Sequence, residues 1–168
     1  PGVLQRIGVV FFLAAILFLN TNWKVLLGIA ITILLGYWVW MGFIPLEGQA
    51  PTFERASNNW ANYIDLNVFG THMYKEDYDP EGLLSTFPSL VTALMGVFTG
   101  LLLVSKMENK VMKMAGMGAG LLVLGYLWDL VFPINKALWT SSFVLVTAGW
   151  ANLLLALIYY LTDVRGIR

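Results

Sequence analysis

The sequence predicts an all-α integral membrane protein, a polytopic bundle of about five transmembrane helices with one long extracytoplasmic loop. Three observations lead there. Of 168 residues, 58% are hydrophobic and 12% charged, with a mean hydropathy of +0.72, whereas soluble domains carry about 25% charged residues. Apolar runs long enough to cross roughly 30 Å of hydrocarbon recur along the chain. Finally, Trp23, Trp38, Trp40, Trp128, Trp139, Tyr159 and Tyr160 fall near the ends of those runs, as an interfacial aromatic belt requires. A soluble domain could bury one helix this apolar, but so many in so short a chain would leave nothing to face water.

The first predicted span covers residues 3–19, with Gln5 and Arg6 as its strongly polar members near the start. The second covers 23–43. A polar loop follows over 44–82, and three further spans cover 83–104, 112–132 and 138–161. Residues 1–168 read as a single transmembrane domain. The opening on Pro1, with no signal peptide visible, leads to the expectation that it is a fragment of a larger polytopic protein.

Net charge is zero, so no nucleic-acid partner is expected and the bilayer itself is the predicted partner. There is no cysteine, which removes disulfides, thiolate metal sites and thiol nucleophiles, and no metal is expected. With an odd number of spans, Lys24, Lys106, Lys110, Lys113, Arg165 and Arg168 share one side. Arg6, Arg55, Lys75 and Lys136 share the other. The positive-inside rule then places the loop outside and the C-terminus in the cytoplasm. Two small-residue pairs lie inside spans, Gly96 with Gly100 and Gly116 with Gly120. They predict close helix packing within the bundle, or a homodimer seam.

The loop carries Glu47, Glu54, Asp65, Glu76, Asp77, Asp79 and Glu81 against Arg55 and Lys75. Its middle, residues 56–69, spaces Trp60, Tyr63, Ile64 and Val68 as a short amphipathic helix. Asp79-Pro80-Glu81 has the form of a helix entry, with an N-cap acceptor, proline at the first helical position and a carboxylate at the positive helix end. The alternative is chemical: the chain's one histidine, His72, converges with Asp79 and Glu81 at the mouth of the bundle and moves protons there. Charged groups at bilayer depth need partners. Arg6, Asp129, Asn135 and Lys136 all fall at the loop side, where Arg6–Asp129 or Lys136–carboxylate pairing is sterically open; each could equally be a snorkelling interfacial charge.

Several motifs occur together: residues 1–8 (PGVLQRIG), Tyr63-Ile64-Asp65, Gly70-Thr71-His72-Met73-Tyr74, residues 78–86 (YDPEGLLST) and residues 133–140 (PINKALWT). With these in order, the chain resembles the heparan-α-glucosaminide N-acetyltransferase family and its bacterial relatives over essentially its whole length. The resemblance implies a membrane enzyme, in a bacterial cytoplasmic membrane, that takes acetyl-CoA from the cytosolic side and acetylates the amino group of a glucosamine-type sugar on the other. It implies Asp65, His72, Asp79, Asn135 and Lys136 as the substrate-binding wall, with Gln5, Arg6 and Asp129 as structural. The family's active histidine lies upstream of the PGVLQR motif and has no counterpart here, so the catalytic base is not assigned and this portion alone is expected to be inactive. Leu66 stands where relatives commonly carry Arg. Two other readings remain: an amino-sugar or oligosaccharide permease, for which Pro88 with Gly96 is the one interrupted span, and a non-catalytic membrane subunit.

Overall fold

In a computed structural model the chain is described at all residues except Pro1, Arg55, Ser57, 75–78 and Arg168. Lys75, Glu76, Asp77 and Tyr78 of the acidic loop and its motif, like Pro1, Arg55 and Arg168, therefore lie outside the described residues. The protein is an all-α polytopic membrane protein. Among the described residues six α-helices run in order: α1 (Val3–Asn20), α2 (Trp23–Phe43), α3 (Trp60–Phe69), α4 (Leu83–Val104), α5 (Lys110–Asp129) and α6 (Ser141–Tyr159). Five of them, all but α3, are long and apolar enough to cross a membrane. A 3-10 turn, Gly70–His72, follows α3, and a π turn, Tyr160–Val164, extends α6.

Caps explain the boundaries. Gln5 Oε1 accepts the Gly2 N–H at 2.9 Å and fixes the start of α1. Asn22 Oδ1 accepts from Lys24 N and Val25 N at the head of α2, and the buried Asn59 caps α3 through Ala61 N at 2.9 Å. Two predicted spans are trimmed at the loop end. α5 stops at Asp129 because Asp129 Oδ1 takes the Ile134 N–H at 2.6 Å and turns the chain. α6 starts at Ser141 because Thr140 Oγ1 is committed to Pro133 O and Asn135 N in the turn before it.

The helix-entry reading of Asp79-Pro80-Glu81 is corrected. α4 begins at Leu83, and the Asp79 side chain closes a tight turn by accepting Glu81 N at 2.9 Å. The cap of α4 arrives from a distant element instead: Asp65 Oδ1, on α3, accepts the Leu83 N–H at 2.8 Å. Gly82 makes this possible, since a Cβ there would collide with the Asp65 carboxylate, whose Cγ would lie 2.7 Å away.

The most extensive helix contact is α5 against α6, and it rests on glycines. Gly118 and Gly149 face each other so closely that a Cβ on either would sit 2.9 Å from the other's carbonyl oxygen, and one on Gly125 would reach Val146 Cγ2 at 2.6 Å. The predicted pairs play no such part: a Cβ added at Gly96, Gly100, Gly116 or Gly120 meets nothing within 4 Å. Gly96 and Gly100 instead border an open trough of about 460 Å³ between α4 and α6. Beneath it the buried Thr99 donates to Asn152 Oδ1 at 2.8 Å. The apolar core joins α2, α4 and α6 through Leu26, Ala30, Val91, Leu94 and Val144.

Candidate functional site

At the loop end, polar side chains stitch the loop to the spans. Asn135 Nδ2 donates to Phe53 O at 3.0 Å, tying the turn before α6 to the loop. Below it, Tyr37 Oη donates to Leu138 O at 2.6 Å and Ser141 Oγ to Leu34 O at 2.7 Å, both buried. An aromatic layer seals this end: Trp38 meets Trp128 edge-on at 5.8 Å and Trp60 meets Trp40 at 5.9 Å. The Trp60 indole N–H is satisfied by Ile44 O at 2.8 Å.

Arg6 is the most heavily committed charge. Only 8% exposed, it donates from Nη1 to Pro80 O at 2.7 Å, from Nη2 to Ser85 O at 2.6 Å and from Nε to Ser89 Oγ at 3.2 Å. Its guanidinium also lies over the Trp139 ring, 4.3 Å from the centroid, and the Trp139 N–H in turn donates to Thr92 Oγ1. A planar fork of donors can reach three acceptors on one helix entry at once, where an ammonium could not. Of the two pairings open from the sequence, Asp129 serves its own turn through Ile134, and Arg6 fastens α1 to α4.

Next to this anchor, Asp65 and Asp79 are 3% and 2% exposed. Together with Asn59, Asn62 and Ser85 they line a cavity of about 10 Å³, room for about one water. Asp79 Oδ2 additionally accepts Tyr74 N at 3.2 Å. Burial pushes the Asp65 carboxyl up from 3.8 to about 6. The Leu83 N–H opposes that shift, Asp79 adds to it, and Arg6 opposes it more weakly. This pocket has room for a water, but a sugar does not fit in it. Of the other predicted residues, His72 and Lys136 are exposed at the same end, and Asn135 is half-buried in its bond to the loop. Glu81 lies at the rim of a much larger groove, about 710 Å³, between α1 and α4. Among the described residues no group of three or more His, Cys, Asp or Glu could hold a metal ion.

Sequence reasoning missed Asn59, Asn62, Ser85, Ser89 and Trp139. Ser85 and Trp139 lie inside the quoted motifs and Trp139 in the aromatic belt, but no local pattern gives any of the five a place at the site; folding brings Asn59, Asn62 and Ser85 to the acidic pair and Ser89 and Trp139 to Arg6.

No protein-family model matches the chain. Two curated proteins do, both named heparan-alpha-glucosaminide N-acetyltransferase. The Mus musculus protein is 28% identical over 226 residues, covering 99% of this chain and 34% of its own length. The Homo sapiens protein is 28% identical over 225 residues, covering 99% of this chain and 33% of its own. The family resemblance drawn from the motifs therefore stands as a distant relationship, and the chain spans about a third of the length of the relatives it matches.

Proposed function

We propose that this chain is the membrane-embedded central part of an acetyltransferase that moves an acetyl group from acetyl-CoA to the amino group of a glucosamine-type sugar. The similarity to the two N-acetyltransferases along 99% of the chain carries the reading. The loop end supports it by gathering Asp65, Asp79, Glu81, His72, Asn135 and Lys136 on one side of the bundle. In this reading the buried Asp65–Asp79 pair is the frame, and His72, Glu81, Asn135 and Lys136 form the wall that a polar acceptor meets. The loop is extracytoplasmic and the opposite end cytoplasmic in a bacterial inner membrane. Lys24, Lys106, Lys113 and Arg165 then supply cations on the side from which the phosphates of acetyl-CoA approach.

The chemistry is an attack by a neutral amine on a thioester. A C–N bond forms, the C–S bond breaks, the CoA thiolate departs and the amine proton passes to a base. A group that stabilises the oxyanion is also required, and we place these catalytic groups in the part of the protein beyond this chain.

Full-length protein reconstituted in liposomes with labelled acetyl-CoA outside and glucosamine inside tests the reading. N-acetylated sugar without net sugar movement is expected. Release of unmodified sugar to the outside with no acetyl product would establish the permease alternative instead.

A further inference from the structure

The Asp65 carboxylate, which lines the small cavity between α3 and the entry of α4, is only half satisfied. Its Oδ1 accepts the Leu83 N–H at 2.8 Å, but among the described residues no donor meets its Oδ2. The residue is only 3% exposed. Burial raises this carboxyl to about 6, so at neutral pH it is still mostly ionised. A buried, charged oxygen without a partner is costly, and a site that keeps one has a use for it.

The other polar walls offer oxygens and turn their donors away. The Ser85 hydroxyl donates to Gly82 O at 3.1 Å, which leaves its oxygen lone pairs as acceptors. Asn59 and Asn62 point their amide nitrogens to Thr52 O and Ala56 O. Asp79 adds a second buried carboxylate, and of the two negative charges Arg6 offsets one. The remainder is a single negative charge beside a cavity of about 10 Å³, the space of about one water. That combination fits one small monovalent cation whose hydration shell is replaced by protein oxygens. Calcium, which takes about 6–8 oxygen ligands, needs more oxygens and more charge than are gathered there.

We infer that the cavity between Asp65, Asp79 and Ser85 is a binding site for one alkali cation of sodium's size, held chiefly by Asp65 Oδ2 and the Ser85 hydroxyl oxygen. The inference does not depend on the acetyltransferase reading. Its consequence is mechanical. Asp65 belongs to α3, Ser85 to the first turn of α4 and Asp79 to the turn between them, so the ion fastens the loop helix to the span beside the Asp65–Leu83 cap.

Full-length protein in dodecyl maltoside, with choline chloride as its only salt, is titrated with radiolabelled sodium by equilibrium dialysis at neutral pH. One saturable sodium per protein is expected, displaced by unlabelled sodium and not by choline, which is too large for the cavity. Asp65→Asn, whose amide oxygen still caps Leu83 but carries no charge, should abolish binding. Ser85→Ala, which keeps both carboxylates and the backbone oxygen that Arg6 uses, should weaken it several-fold. Glu54→Gln, in an exposed part of the loop, should bind like the parent, and circular dichroism checks that each variant folds. In thermal unfolding of the parent, sodium in place of choline should raise the folded-to-unfolded ratio about tenfold, the effect of a ligand at roughly ten times its dissociation constant. No saturable sodium, affinity unchanged in Ser85→Ala or in a folded Asp65→Asn, or equal protection by choline would each overturn the inference.

Discussion

Replacing Arg6 by lysine isolates what the guanidinium geometry contributes. Lysine keeps the positive charge and much of the stem, but an ammonium cannot reach Pro80 O, Ser85 O and Ser89 Oγ together. About two hydrogen bonds are lost. Bonds to charged groups in water are worth roughly 1.5–3 kcal/mol, but interhelical bonds in membranes average about 0.6 kcal/mol. Arg6 lies at the membrane's edge and buried, between those limits, so each lost bond should cost about 1 kcal/mol. Weaker stacking on Trp139 adds a further fraction, since cation–π contacts run from about 0.5 to 2 kcal/mol. The expected destabilisation is about 2–3 kcal/mol. Reversible unfolding in mixed sodium dodecyl sulfate and dodecyl maltoside, followed by tryptophan fluorescence, would measure it. Arg165→Lys, exposed and resting on Tyr160, serves as the comparison and should change stability by no more than about 0.5 kcal/mol. An Arg6→Lys protein as stable as its parent, or a comparison variant equally damaged, would refute the claim that the fork holds α1 in place.

Four other outcomes are expected. Gly118→Leu should disrupt the α5–α6 seam by about 1–3 kcal/mol, while Gly116→Leu should change little because nothing lies within 4 Å of its Cβ; thermal aggregation of the two variants separates them. The Asp65 carboxyl is raised from 3.8 to about 6, so the folded state holds its proton more tightly than the unfolded chain does. Its contribution to stability is complete below about pH 4, declines as pH climbs through 6 and is flat above, and Asp65→Asn, whose amide oxygen can still accept Leu83 N–H, should remove that slope from a pH series of detergent unfolding curves. Thr99→Val should cost about 1 kcal/mol by stranding Asn152 Oδ1, read in the same unfolding assay. In the full-length protein, Asp79→Asn and Lys136→Ala should lower acetyl transfer several-fold more than Glu54→Gln; equal rates in all three would assign this loop a purely architectural role.

The spans were legible because lipid imposes a length and an apolarity that no other local constraint mimics, and α2 and α4 match their predicted limits. The α4 cap was not legible. Asp79-Pro80-Glu81 satisfies every local rule for a helix start, yet Asp65, 18 residues before Leu83, supplies the carboxylate. Gly82 signals this only once its Cβ clash is known. The glycine seam failed for a different reason. Gly116, Gly118 and Gly120 are each two residues apart, about 200° around a helix, so spacing alone cannot say which of two opposite faces meets α6. Near the acidic pair, Asp65 and Asp79 stood out by charge, whereas Asn59, Asn62 and Ser85 read as ordinary loop and helix-entry residues.

The long-range stitching at the loop end bears on the order of biogenesis. Asp65 waits for Leu83, Phe53 for Asn135, Tyr37 for Leu138 and Leu34 for Ser141, so nearly every seam joins an early segment to one that leaves the ribosome later. Until the final hairpin is inserted, the segment between the second and third spans is held through Trp60 to Ile44 and Asp65 to Leu83, while Phe53 O still lacks Asn135. Closure of the Phe53–Asn135 seam therefore reports that the last membrane hairpin has arrived.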